Sequence, residues 1–218
     1  MSGLRLSTIV PASDGPPTLP RCVAAIEAAA AAHEELLVVE EPRGIGPARA
    51  RNAAARRATG DVLVFVDADV VVRPDAFERI RAAFSADPGL VAVFGAYDDE
   101  PEAPGLVSRF RNLLHHHVHA AAGGPAETFW AGLGAVRADA FHAAGGFDGD
   151  GFHRPSIEDV ELGARLRRAG GRIVLDPTIR GTHLKRWTLR SMLVTDVHQR
   201  EAPVRSSSRS TAGCRRAC

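Results

Sequence analysis

Two carboxylates one residue apart, Asp67 and Asp69, follow an unbroken apolar run from Val62 to Val66. A buried strand that ends this way sets both side chains beside the crevice where an open α/β sheet takes its ligands. Hard divalent cations prefer oxygen donors, and Mg2+ takes one or two carboxylates while phosphate oxygens and water complete its shell. A metal bridging two phosphates neutralises the charge that gathers on a departing diphosphate. The pair serves equally well as strand-end carboxylates capping the next turn, because Asp-x-Asp is too short a pattern to choose. His115, His116, His117 and His119 also invite a metal reading, since His115 and His119 stand one helical turn apart. No Cys or Glu lies at a completing distance, so a polar helix surface is the better expectation there.

The elements that must position these residues alternate along the chain. Short apolar runs rich in β-branched residues occur at Leu6–Val10, Leu36–Glu40, Val62–Val66 and Leu90–Phe94. Helical patterns lie between them. Pro20 to His33 is rich in alanine, Pro47 to Thr59 is closed by Gly60, and Pro74 to Ser85 carries Phe77, Ile80 and Phe84 on one face. This alternation predicts βαβ units: an α/β fold with a mostly parallel central sheet and helices on both faces. The second half is less regular. It predicts a helix over Arg109–Ala122, a strand over Thr128–Val136 interrupted at Gly132-Leu133-Gly134, and a turn at Gly145-Gly146-Phe147-Asp148. A helix over Ser156–Ala169 and a last strand, Arg172–Leu175, stopped by Asp176-Pro177, complete it.

Composition bounds the function. The chain has 218 residues, 45% hydrophobic and 24% charged, as expected of an ordinary globular domain. A net charge of +1 gives no reason to expect nucleic acid as a partner. Three cysteines, two of them in the last five residues, build no disulfide framework and suggest a reducing, cytoplasmic setting. The N-terminal apolar run is too short and too polar for a signal peptide. No stretch approaches the roughly 20 apolar residues of a spanning helix. Beyond Pro203 the composition turns to Ser, Arg and Thr, which predicts a disordered tail. That ending is either a truncated or shifted reading frame, or a native basic segment that touches anionic lipid at the inner face of a membrane.

Several segments together resemble the family 2 glycosyltransferases with the GT-A fold, over roughly Leu6 to Trp187. They are Ser7-Thr8-Ile9-Val10-Pro11, Gly46-Pro47-Ala48-Arg49-Ala50-Arg51-Asn52, Gly60-Asp61 through Asp67-Ala68-Asp69, Gly145-Gly146-Phe147-Asp148 and Glu158-Asp159-Val160-Glu161-Leu162. Their order and separations agree with the family as well. The resemblance implies a catalytic domain over 1–187, with a nucleotide-binding half over about 1–100 and an acceptor half over about 101–187. Residues 188–218 form a C-terminal amphipathic segment and basic tail.

The resemblance also implies roles. Asp69 binds a Mg2+ or Mn2+ ion directly, and Asp67 lies against the ribose and the metal shell. Glu40 contacts the nucleotide base, Arg51 approaches the diphosphate, and Pro11 and Ser13 belong to the same nucleotide site. Ser13 stands where many members carry an aromatic that stacks on the base, which puts the identity of the base in doubt. A solvated helix-face arginine is the competing reading of Arg51. Asp159 is the general base that takes the proton of the acceptor hydroxyl in an inverting displacement. Ser156-x-x-Asp159 equally fits a capping box that opens the helix. His183 completes the metal shell, although His183-x-x-Arg186-Trp187 also resembles the Gln-x-x-Arg-Trp of processive membrane synthases. Trp130, Gly132 and Glu158 fall on the acceptor side, Trp130 being able to stack on a sugar or to serve as core.

The implied partners are a nucleoside-diphosphate sugar and a glycan or lipid-linked acceptor. Two other readings stand beside this one. A sugar nucleotidylyltransferase would want a Gly-rich, cationic loop after the first strand, where Ser13-Asp14-Gly15-Pro16-Pro17 offers no cation. A non-catalytic nucleotide-binding remnant is the other.

Overall fold

The computed structural model describes residues 4–30, 34–152 and 157–201. Its first half follows the predicted alternation: β1 (Leu6–Pro11), α1 (Leu19–Ala29), β2 (Glu35–Val39), α2 (Pro47–Ala55), β3 (Val62–Val66), β4 (Val70–Val72), α3 (Ala76–Ala86) and β5 (Leu90–Tyr97). Then come α4 (Leu106–Ala121), β6 (Gly124–Pro125), β7 (Leu133–Arg137), α5 (Ala138–Ala143), α6 (Glu158–Arg168), β8 (Arg172–His183) and α7 (Leu189–Glu201). The helix predicted to run to His33 is described only to Ala29, and residues 31–33 lie outside the described part, as does the tail beyond 201.

One sheet runs in the order β2-β1-β3-β7-β5-β8-β4, with β6 paired to β8. All five residues of β3 are buried, because it is covered on both faces. Val62, Val64 and Val66 enter one core with Cys22, Phe77, Ile80 and Phe84. Leu63 and Phe65 enter the other with Phe129, Phe141, Phe147 and Leu162.

The second half departs from a purely parallel sheet. β2, β1 and β3 are parallel, as are β5 and β8, but β7 inserts antiparallel between β3 and β5. The strand expected over Thr128–Val136 is therefore shorter and begins at Leu133, leaving Phe129 to Gly132 as a connecting segment. Asp176-Pro177 does not stop the last strand. β8 passes through it and bulges: Leu175 pairs with Phe94, and the next paired residue, Arg180, faces Ala96. A bulge removes the ladder bond that proline cannot make. It also needs Gly95, where a Cβ would overlap the Ile179 carbonyl. Beyond the bulge β8 pairs antiparallel with β4, a strand whose three residues look, in sequence, like a continuation of the Asp-x-Asp segment.

Candidate active site

Asp67 leaves β3 where the strand loses its partners. Its N–H donates to the Gly132 carbonyl (3.0 Å), and its own carbonyl accepts from the Val70 N–H (2.9 Å), which turns the chain into β4. One residue before Gly132, the Ala131 N–H donates to Asp159 Oδ2 (3.1 Å). The short run Trp130 to Gly132 thus ties the end of β3 to the start of α6, residues about ninety positions apart. Gly132 and Gly134 are required by Trp130 and Phe129: a Cβ on Gly132 would enter the indole, and one on Gly134 would meet the Trp130 carbonyl and the Phe129 ring.

Arg51 joins the same point from α2. That helix starts with Pro47 at its first turn, where the missing N–H costs nothing. Its buried side is alanine, so it lies close to the sheet and Arg51 is 4% exposed. Arg51 is therefore not a solvated helix-face residue. Nη2 donates to Asp67 Oδ1 (2.6 Å) and Nη1 to Glu158 Oε1 (3.0 Å), and the group stands over the Phe147 ring. A cation so buried is tolerable only when paired. Glu158, expected on the acceptor side, is also 4% exposed and turns its carboxylate to Arg51. The geometry makes it a counter-charge behind the crevice.

Asp159 points the other way along the same turn. Oδ1 accepts from the Val160 N–H (2.8 Å) and Oδ2 from Ala131. Ser156 of the expected capping box lies outside the described residues, and α6 opens on Ile157 with no side-chain cap. Burial pushes the Asp159 carboxyl up to about 6, reinforced by the neighbouring Glu158 charge and opposed by its two backbone donors and Arg51.

Asp69 meets His183 across the β4–β8 ladder. Val70 pairs with His183, and the Leu184 N–H donates to the Asp69 carbonyl (2.8 Å). This backbone frame sets His183 Nε2 3.3 Å from Asp69 Oδ2. Tyr97 lies flat on the imidazole, 4.2 Å between ring centres and 7° between planes. Thr182 and Arg73 both donate to the buried Asp98, bracing the strand beside it.

Among the described residues no three His, Cys, Asp or Glu side chains converge as a closed metal cage. The open pair Asp69–His183 fits the demand of a cation that takes most of its ligands from phosphates and water, and a carboxylate with an imidazole suits Mn2+. His115 and His119 do not form the expected polar surface. They turn inward and pack on Trp130, with ring centres 5.0 and 5.1 Å away. Burial pushes His115 down to about 3 and lowers His119 as well. Trp130 is partly exposed between these histidines and the crevice.

The remaining residues expected at the nucleotide stand at or just past the carboxyl ends of neighbouring strands. Pro11 ends β1 against Val39, Ser13 is buried with its carbonyl accepting from the Gly44 N–H (2.9 Å), and Glu40 is exposed just past β2. Sequence reasoning missed Asn112, whose Oδ1 accepts from His183 Nδ1 (2.8 Å). One signal was available. Ser108, Asn112, His115 and His119 repeat at helical spacing, a polar stripe on the face of α4 that points inward.

A mixed sheet of this order, with a carboxylate pair where β3 ends, has the fold of the GT-A class of sugar-transferring domains. The model of the family described as glycosyl transferase family 2 matches residues 8–144, and the chain belongs to that family. It is 32% identical over 168 residues to the pre-mycofactocin glycosyltransferase of Mycobacterium tuberculosis, covering 74% of this chain and 35% of that protein. The chain thus spans about a third of the curated relative's length. Among solved structures it resembles the mannosyltransferase PcManGT from Pyrobaculum calidifontis in complex with GDP-Man and Mn2+. The TM-score is 0.66 at 19% identity, covering 91% of this chain and 62% of that one. It also resembles GalNAc-T7 with UDP, GalNAc and Mn2+, with a TM-score of 0.61 at 18% identity, over 85% of this chain and 44% of that one.

Proposed function

We propose that this domain transfers a sugar from a nucleoside-diphosphate sugar to an acceptor hydroxyl, inverting the anomeric carbon in one displacement. The observation that carries this reading is that Asp67 and Asp159 both meet the Trp130–Gly132 segment, with Asp69 two residues beyond Asp67 and facing His183. Asp159 takes the acceptor proton as the oxygen bonds to the anomeric carbon, while the bond to the diphosphate breaks and that group leaves with the electron pair. Its two backbone donors fix the carboxylate, and its raised affinity for a proton suits it to receive one. Arg51 holds Asp67 in place from behind, and Glu158 balances Arg51. Asp69 and His183 would hold the divalent cation, which when bound supplies charge neutralisation for the diphosphate. Trp130 offers its exposed edge to the acceptor side. Pro11, Ser13 and Glu40 line the path to the base. Membership of family 2 leaves the nucleotidylyltransferase reading without support.

A thermal-shift screen of UDP, GDP and the other nucleoside diphosphates, with and without Mn2+, tests the reading. One diphosphate at about a hundred times its Kd, with Mn2+ present, stabilises the fold by about 2.7 kcal/mol. Asp69→Asn removes the Mn2+-dependent part of the shift. No metal-dependent shift with any diphosphate favours the binding-remnant alternative.

Peripheral attachment to an anionic bilayer is supported by α4 and the start of α7. Among the described residues no helix is long and apolar enough to cross a membrane. Yet Leu106, Phe110, Leu114 and Val118 form an outward apolar stripe on α4, and Leu189, Leu193 and Val194 are exposed on α7. No acidic residue occurs between Glu102 and Glu127 or between Asp176 and Asp196, while Arg109, Lys185, Arg186 and Arg190 are exposed nearby. An apolar stripe flanked by cations suits a negatively charged lipid surface. Co-sedimentation with phosphatidylglycerol vesicles but not with phosphatidylcholine vesicles is expected, and Phe110→Glu should abolish it. Equal partition to both vesicles, or to neither, removes this part of the proposal.

A further inference from the structure

We infer that Asn112 is a positioning residue that presents His183 to the cation site. This rests on the reading of Asp69 and His183 as cation donors. A histidine binds a metal through a ring nitrogen that carries no proton, and the hydrogen bond made by the other nitrogen decides which one that is. Asn112 Oδ1 can only accept, so at 2.8 Å it holds the proton on His183 Nδ1. The free lone pair is then that of Nε2, the nitrogen that faces Asp69 at 3.3 Å.

The surroundings leave His183 little other choice. Tyr97 stacked on one face prevents the ring from turning over, and the β4–β8 ladder fixes its backbone. One helical turn from Asn112, the Ser108 hydroxyl donates to the Trp187 carbonyl (3.1 Å) and accepts from the Trp187 N–H (2.9 Å). Ser108 and Asn112 together therefore clamp both ends of the strap from His183 to Trp187.

Asn112 is also kept at a cost that packing does not explain. It is 2% exposed, and its buried Nδ2 has no hydrogen-bond partner among the described residues. An unsatisfied buried amide N–H destabilises a fold, a cost that an apolar side chain of the same size would avoid. The useful atom is the oxygen.

The test is Mn2+ binding to the full chain, followed by the loss of the free-ion signal in electron paramagnetic resonance, with thermal melts alongside. Asn112→Leu should weaken Mn2+ binding about 10- to 100-fold, the usual effect of removing the group that orients a metal-bound histidine. Its melting temperature should be at or above that of the parent. Asn112→Asp, which keeps an acceptor at the same place, should bind Mn2+ at least as well as the parent. If the leucine variant does not fold, Asn112→Ser, too short to reach the ring, should show the same loss. Leucine and serine variants that bind like the parent while His183→Ala binds weakly overturn the Asn112 assignment alone. So does an Asn112→Asp variant as weak as Asn112→Leu, because the role is then one of shape. If His183→Ala also binds like the parent, the underlying cation site is wrong.

Discussion

Asp159→Asn should lower kcat by about a hundred- to ten-thousand-fold, the range that a positioned general base contributes, while leaving nucleotide affinity within a factor of about two of the parent. The measurements are diphosphate release from the donor sugar and calorimetric titration with the free diphosphate. The expectation follows from where the carboxylate points. It accepts two backbone N–H bonds, from Ala131 and Val160, and touches neither Arg51 nor Asp69 directly, so its amide should not disturb the diphosphate side. The parent chain supplies an independent check. A base at Asp159 would work only when ionised, so activity should fall as pH drops through about 6 and be level above it. The fold should not follow. Folding raises this carboxyl, so between its unfolded value and about 6 the folded chain binds more protons than the unfolded one. Acidification across that window therefore adds to stability through this group, and activity is lost while the protein stays folded. A fully active asparagine variant would end the assignment.

Arg51→Met should be the most destabilising single change in the site. Removing one partner of a buried ion pair costs about 3–5 kcal/mol, because the charge left behind stays buried. Glu158 is the partner that stays out of water, since its side chain is 5% exposed, whereas the Asp67 side chain is 34% exposed and regains water. A loss near the lower end, about 3 kcal/mol, lowers the melting temperature of a domain this size by about 6–12 °C. Adding Glu158→Gln to Arg51→Met removes a buried charge that has lost its Arg51 contact and should recover part of that loss. Glu158→Gln alone should be milder, because Arg51 keeps Asp67. If Arg51→Met melts within about 2 °C of the parent, the paired carboxylates do not depend on Arg51.

The sequence by itself determined the first half of the fold, β1 to β5. Apolar runs at β1 and β3 are long enough to be covered on both faces, and helices with one apolar side separate them. Such local patterns leave one outcome, a sheet whose carboxyl edge carries Asp67 and Asp69. The family resemblance then supplied Asp159 and His183 as candidates, though not their surroundings.

Tertiary structure decided the rest, for reasons that local pattern does not encode. Proline and aspartate at 176–177 read as a stop, yet β8 absorbs them in a bulge because Gly95, eighty residues earlier, leaves room for the Ile179 carbonyl. Only that continuation carries His183 to Asp69. Arg51 and Glu158 are expected at the diphosphate and on the acceptor side, and nothing local shows that α2 and α6 bury them together as a pair. The histidines of α4 read as a solvated face because polarity usually marks the outside of a helix. Here the polar stripe turns inward to Trp130, Tyr97 and His183, and the apolar stripe faces out. Which stripe of that helix is buried depends on what the sheet presents to it. That is a property of the assembled fold.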